Sequence, residues 1–308
     1  MSPTKHPTSF IDHFRSGANA GTPSRSQYFP TKPHHRRNHR KHAGPRRDLT
    51  TDQRMTQFDT WCDPVKVVPI NGHVAGFLIS NDDDAGIEAV ASTLSEKYVK
   101  TEALAMIAAN SNKPQFAEYL RKKFPNELTA RSGDIGEILA TSYLEEEGGY
   151  TVGPSRLMHR DHQEWAMRGD DVLGAKFDAS SQVQLAKGEA KSRGKAYNNV
   201  VVEAREGLER EQGLPSGHSL AQFAERLVST PDEALGVAIF RLLATGAVRP
   251  GIVRHLMFLF TTNNPIKHVS KDLNAYTGPI EQLTVTLQVG DHKRFINSTY
   301  EMAPNYGP

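Results

Sequence analysis

The chain has 308 residues, 37% apolar and 23% charged, with one cysteine and a net charge of +2. This is ordinary globular composition, long enough for one large domain or two small ones. Cys62 alone excludes a disulfide framework or a cysteine–zinc cluster and fits a cytoplasmic protein, while a polar start and a most apolar run of only Leu256–Phe260 exclude a signal peptide and a membrane span.

Charge is unevenly spread. Residues 1–48 hold ten Lys/Arg and two Asp, so they carry +8 and the rest carries −6. Residues 1–55 are rich in Pro, Ser, Thr, Gly and His without apolar periodicity, the composition of a disordered basic tail. Its extreme part, His34 to His42, reads as an electrostatic arm for phosphates or as a solvated tail.

Order is expected from about Phe58. Val65–Val68 reads as a strand that is an edge or ends at Pro69, which cannot donate to a ladder. Asn71-Gly72 then predicts a hairpin turn into a strand from His73 to Ile79. Asn81 or Asp82 caps a helix running through Tyr98. Helices follow near Glu102–Ala109 and Gln115–Phe124, the second stopped by Pro125. A further helix is expected from Gly133 to Glu147, capped by Ser132 and ended by Gly148-Gly149. Short β segments are placed at Tyr150–Val152, Val172–Phe177 and Val183–Ala190. Helices come next near Val200–Gln212, Ser219–Val228 and Glu233–Leu243. Strands at Val253–Thr261 and Leu283–Val289 close the chain, and the last residues, 301–308, read as a frayed end. Strands interleaved with helices around one sheet make a mixed α/β core.

The chemistry concentrates on two strand ends. Alternation along Val183 to Lys191 places Lys187, Glu189 and Lys191 on one face. Glu189 and Lys191 are then roughly 6.5–7 Å apart and can address one phosphate. Arg168-Gly169-Asp170-Asp171 reads as a turn feeding the preceding strand, which sets an acid at its mouth. Phosphodiester hydrolysis needs an activated water and stabilised negative charge, which a hard divalent cation on carboxylates supplies. Asp171 and Glu189 are the expected ligands, with the Ala190 carbonyl as a third, and Lys191 orients water and neutralises charge. Asp171 is preferred to Asp170 because it directly precedes Val172-Leu173. Glu137 lies beside the apolar stripe of its helix, where a semi-buried glutamate wants a metal, its water or a lysine. Asp134 reads instead as a helix-start acid. His159 to His162 form a polar hairpin tip, and His218 and His255 have no evident partner. Arg193, Lys195, Asn198 and Asn199 are either phosphate contacts or a solvated loop.

Three segments, Ser132-Gly133-Asp134-Ile135-Gly136-Glu137-Ile138-Leu139-Ala140, Met167-Arg168-Gly169-Asp170-Asp171-Val172-Leu173-Gly174 and Gly188-Glu189-Ala190-Lys191, together resemble the PD-(D/E)xK nuclease superfamily. More narrowly, the chain is similar to the HamA effectors of the Hachiman anti-phage defence system, over about residues 65 to 290. The usual proline before the first acid is absent, since Gly169-Asp170 stands there. The resemblance implies a restriction-endonuclease-like core at 129–300, with an N-terminal α/β elaboration at 56–128. It implies a DNase using Mg²⁺ or Mn²⁺, with Glu137, Asp171, Glu189 and Lys191 catalytic and the three acids on the metal. It further implies DNA and a HamB-type helicase as partners; a membrane partner is already set aside by the short apolar run. A non-catalytic nucleic-acid-binding adaptor on the same scaffold, or a repair or recombination nuclease, are the alternatives.

Overall fold

The computed structural model describes residues 56–153, 155–159 and 169–306. The basic segment 1–55 and the loop tip Arg160–His162 lie outside the described residues. A short helix α1, Phe58–Trp61, leads into the hairpin β1, Lys66–Ile70, and β2, His73–Ile79. Asn71 and Gly72 both take positive φ, 49° and 76°, as a tight two-residue hairpin turn requires. β1 pairs with β2 alone, so it is the sheet edge that Pro69 demands.

Helix α2, Asp83–Tyr98, is capped by Asp82, whose carboxylate accepts from the Asp84 and Ala85 amides. α3, Thr101–Ala109, and α4, Lys113–Lys123, follow, the latter closed by an Asn112–Gln115 capping box. α5 spans Leu128–Glu146 and so begins more than a turn before the expected Ser132 cap. Ser132 lies inside the helix, its hydroxyl spent on Ser192 instead of the helix end. Tyr150–Val152 forms no strand. Only Thr151 bridges to Ala175.

β3, Val172–Phe177, and β4, Val183–Ser192, are antiparallel. α6, Asn198–Glu209, ends earlier than expected, in a 3-10 turn Arg210–Gly213 where Glu211 and Gln212 have positive φ. α7, Gly217–Leu227, α8, Glu233–Thr245, and β5, Val253–Thr261, follow. Two helices were not expected from the sequence. α9, Ile266–Ala275, precedes β6, Glu281–Gln288, and α10, His292–Met302, follows it. Both are short and largely polar, with an apolar stripe of only three or four residues. Past α10 the chain does not fray at once, because Ala303–Asn305 makes a 3-10 turn with Ala303 and Pro304 buried.

The six strands run in the order β1-β2-β6-β5-β4-β3. β2, β6, β5 and β4 are parallel neighbours, and both edge strands are antiparallel. Strands from 56–128 and 129–300 therefore share one sheet. Helices cover both faces, as a parallel sheet requires. On one face Val200, Val201 and Leu208 of α6 and Val269 and Leu273 of α9 pack on Ala75, Phe77, Met257 and Leu259. Beside them Phe223 and Leu227 of α7 and Ile239 of α8 cover Leu173, Leu185 and Val253. Arg205 fastens α6 to α9 by a two-bond pairing with Asp272, at 3.1 and 2.7 Å. On the other face Tyr143 of α5 and Phe295 of α10 meet Phe258 and Phe260, and Trp61 closes over Phe295 at 5.7 Å. Among the described residues no helix is long and apolar enough to cross a membrane.

Phe295 joins the N-terminal helix, the sheet and α10 in one aromatic cluster and is fully buried. Phe295→Ala should cost about 3–5 kcal/mol. Urea unfolding of the variant against wild type measures it, and a loss under about 1 kcal/mol would mean that α10 is a peripheral appendage.

Candidate active site

The β3–β4 register pairs Val172 with Gly188 and Leu173 with Lys187. One step further the ladder sets Asp171 opposite Glu189. These acids, distant in sequence, thus meet at the mouth of the same two strands. Glu189 is buried beneath α6. A Cβ at Gly207 would lie 2.2 Å from the Glu189 carboxyl carbon, so only glycine lets the helix approach this closely. Lys191, two residues on and on the same face, donates to Glu189 Oε1 at 2.8 Å.

Glu137 comes from α5 and is also buried. Its partner is Arg156, on a 3-10 turn spanning Arg156–His159. The guanidinium donates Nε to Oε1 at 2.6 Å and Nη2 to Oε2 at 2.7 Å. Nη2 also reaches Asp171 Oδ1 at 3.2 Å. Arg156 thus joins Glu137 to Asp171, while Lys191 holds Glu189.

The carboxyls feel one another. Burial is the strongest influence on Glu137 and raises it to about 7; the Arg156 guanidinium opposes this, and Asp171 and Asp134 add to it. Glu189 is raised by burial first and by Asp171 second, against Lys191. Oxygen donors of this kind are what Mg²⁺ or Mn²⁺ takes, and Mg²⁺ needs only one or two protein carboxylates. Asp171 and Glu189 fit that requirement. Glu137 has both oxygens engaged by Arg156. Among the described residues no group of three His, Cys, Asp or Glu is arranged to hold a metal.

The neighbouring acids are placed differently. Asp170 turns away from the mouth of β3, accepts from the Ser216 amide at 2.9 Å, and lies 3.5 Å from Lys187 Nζ. Asp134 is not a helix-start acid, because α5 begins at Leu128 and carries Asp134 into its interior. There it is buried and accepts a hydrogen bond from Tyr98, whose hydroxyl lies 2.6 Å from that of Tyr300. Arg193, Lys195, Asn198 and Asn199 are all exposed, with Arg193 facing Glu203 at 3.7 Å.

Sequence reasoning gave no role to Arg156, Lys187 or His292. Lys187 shares the Glu189 face and is 1% exposed. Its Nζ donates to the Arg210 and Leu214 carbonyls at 2.7 and 3.0 Å, which holds the 3-10 loop onto the strand. His255 helps, with Nε2 2.7 Å from the Gly213 carbonyl oxygen. The only signal for Lys187 was its alternation with Glu189. For Arg156 it was the demand of a buried glutamate for a cationic or hydrogen-bonding partner. Behind Lys191, Ser192 joins Ser132 and His292 Nε2, each hydroxyl contact 2.8 Å long.

The HamA family matches this chain across residues 55–303. The Hachiman protein HamA of Bacillus cereus is 26% identical over 229 residues, which is 73% of this chain and 81% of that protein.

Burial, with the Arg193 charge, lowers the His292 imidazole to about 4. The unfolded chain then binds its proton near pH 6.5 while the folded one refuses it until about 4. The contribution of His292 to stability is complete above pH 6.5 and lost as pH falls toward 4. Unfolding free energies at pH 7.5 and 4.5 for wild type and His292→Gln should converge at the lower pH. An unchanged difference would show that His292 does not titrate across folding.

Proposed function

The chain belongs to the HamA family, and on that premise we propose that it is a divalent-metal-dependent deoxyribonuclease, the effector of a Hachiman-type anti-phage defence system. The observation that carries this reading is the strand register that brings Asp171 opposite Glu189, with Lys191 bonded to Glu189. Asp171 and Glu189 would hold Mg²⁺ or Mn²⁺, with the Ala190 carbonyl within the same stretch. The bound cation would lower the pKa of a water and offset charge on the phosphorane.

The protein's own residues do the rest. Lys191, the less buried partner of its ion pair, is free to turn from Glu189 to a phosphate oxygen and stabilise developing charge. Burial of Glu189 under α6 strengthens its hold on any cation. Glu137 acts through Arg156, fixing where the guanidinium stands relative to Asp171. The exposed Arg193 and Lys195 follow directly on β4 and would meet backbone phosphates. A HamB-type helicase would be the partner if this chain acts in a Hachiman system, as its Bacillus cereus relative, a Hachiman protein, suggests.

The alternative is a non-catalytic DNA-binding adaptor on the same scaffold. Plasmid cleavage separates the two. The protein should consume supercoiled plasmid in Mg²⁺ and not in EDTA. Glu189→Ala and Lys191→Ala should each slow cleavage by at least about a hundredfold without lowering the melting temperature by more than a few degrees. Cleavage by Glu189→Ala at the wild-type rate would sink the assignment. DNA binding without cleavage, alone and with the helicase, would establish the adaptor.

A further inference from the structure

Every acid of the site is fixed to a large element: Glu137 to α5, Glu189 to β4 and Asp171 to the mouth of β3. Arg156 is not. It stands on a four-residue 3-10 turn outside the sheet and outside the helices that flank the site. Yet its side chain is only 12% exposed and is the cation between two of the acids.

Its bonds are unequal. The fork to Glu137 is short on both arms, at 2.6 and 2.7 Å, and defines a tight pair. The reach to Asp171 is longer, at 3.2 Å, and ends on the most exposed carboxylate of the set, at 31%. Asp171 therefore has two claims on it. Arg156 draws it toward Glu137, whereas a cation shared with Glu189 draws it across the ladder. A guanidinium already there also repels an incoming divalent ion through a poorly screened interior.

We propose that Arg156 is an internal competitor for the cation of this site: it occupies Asp171 until a divalent ion takes that carboxylate, and so sets the threshold for metal loading. This rests on the metal reading of Asp171 and Glu189 given above. Glu137 then serves as the anchor of the competitor. Arginine suits the task because its planar fork holds Glu137 with two parallel bonds and still directs a hydrogen at Asp171, a fixed geometry that the ammonium of lysine lacks.

The test uses the full chain and Mn²⁺ alone as probe, with free Mn²⁺ read from its electron paramagnetic resonance signal at fixed pH and salt. Arg156→Gln should bind Mn²⁺ at least about tenfold more tightly than wild type. Arg156→Lys keeps Glu137 partnered and releases Asp171, so it should fall between the two. Glu189→Ala should lose binding. Circular dichroism melts establish which variants fold. Where Arg156→Gln does not, Arg156→Lys decides the matter by binding tighter than wild type. Equal or weaker binding in the folded variants, with wild type still binding, overturns the competition and leaves the metal site standing. Absence of Mn²⁺ binding in wild type and variants alike overturns both.

Discussion

Three carboxylates converge at one end of a buried β-ladder, and the cost of burying them, to which Asp171 adds, is the constraint that the surrounding structure answers. Burial alone pushes Glu137 and Glu189 toward their neutral forms, and Asp171 adds to the pressure on both. Two cations oppose it, Arg156 between Glu137 and Asp171, and Lys191 on Glu189. A second buried pair, Lys187 with Asp170, lies beneath them. Stacking such pairs in an interior is costly unless each charge is hydrogen-bonded. Here each one is: Lys187 donates to two carbonyls, and Asp170 accepts from a backbone amide.

The fold supplies the rigidity that such an arrangement needs. α5 and α6 press on opposite faces of β4, one delivering Glu137 and the other closing over Glu189 at Gly207. The loop after α6 carries two residues in left-handed conformation, and Lys187 and His255 grip its carbonyls. That grip ties the backbone strain of the loop to the strand bearing Glu189 and Lys191. Side chains held by packing and hydrogen bonds are the usual condition for catalytic groups at fixed separations. The parallel order of β2, β6, β5 and β4 gathers the loops after these strands at one end of the sheet, where the exposed Arg193 and Lys195 stand.

Much of this architecture could be read from the sequence. Asn71-Gly72 announced the hairpin, Asp82 the start of α2 and Pro69 the edge strand, because each acts through the backbone of its own few residues. The same locality misleads at Ser132. A serine ahead of Gly133 looks like a cap, but α5 runs back to Leu128, and the first turn is tied down by Arg131, which donates to the Pro125 carbonyl at 2.7 Å and lies over the Tyr300 ring from another helix. α9 and α10 are illegible in the sequence because their short stripes acquire meaning only against the sheet, where Val269, Leu273 and Phe295 are buried. Asp134 is illegible for a related reason, since its partner Tyr98, which in turn meets the Tyr300 hydroxyl, comes from another helix.

By itself the sequence determined the order of most elements, the alternation that puts Lys187, Glu189 and Lys191 on one face, and the kinds of side chain available for chemistry. Those follow from the periods of strand and helix, which any short stretch carries within it. Only the tertiary structure decided that Asp171 stands across from Glu189, that Glu137 is held by Arg156, and that Lys187 is buried against a loop more than twenty residues away. Those pairings join residues far apart in the chain. They are fixed by strand register and by the need of each buried charge for a partner, and neither is written in the residues beside it.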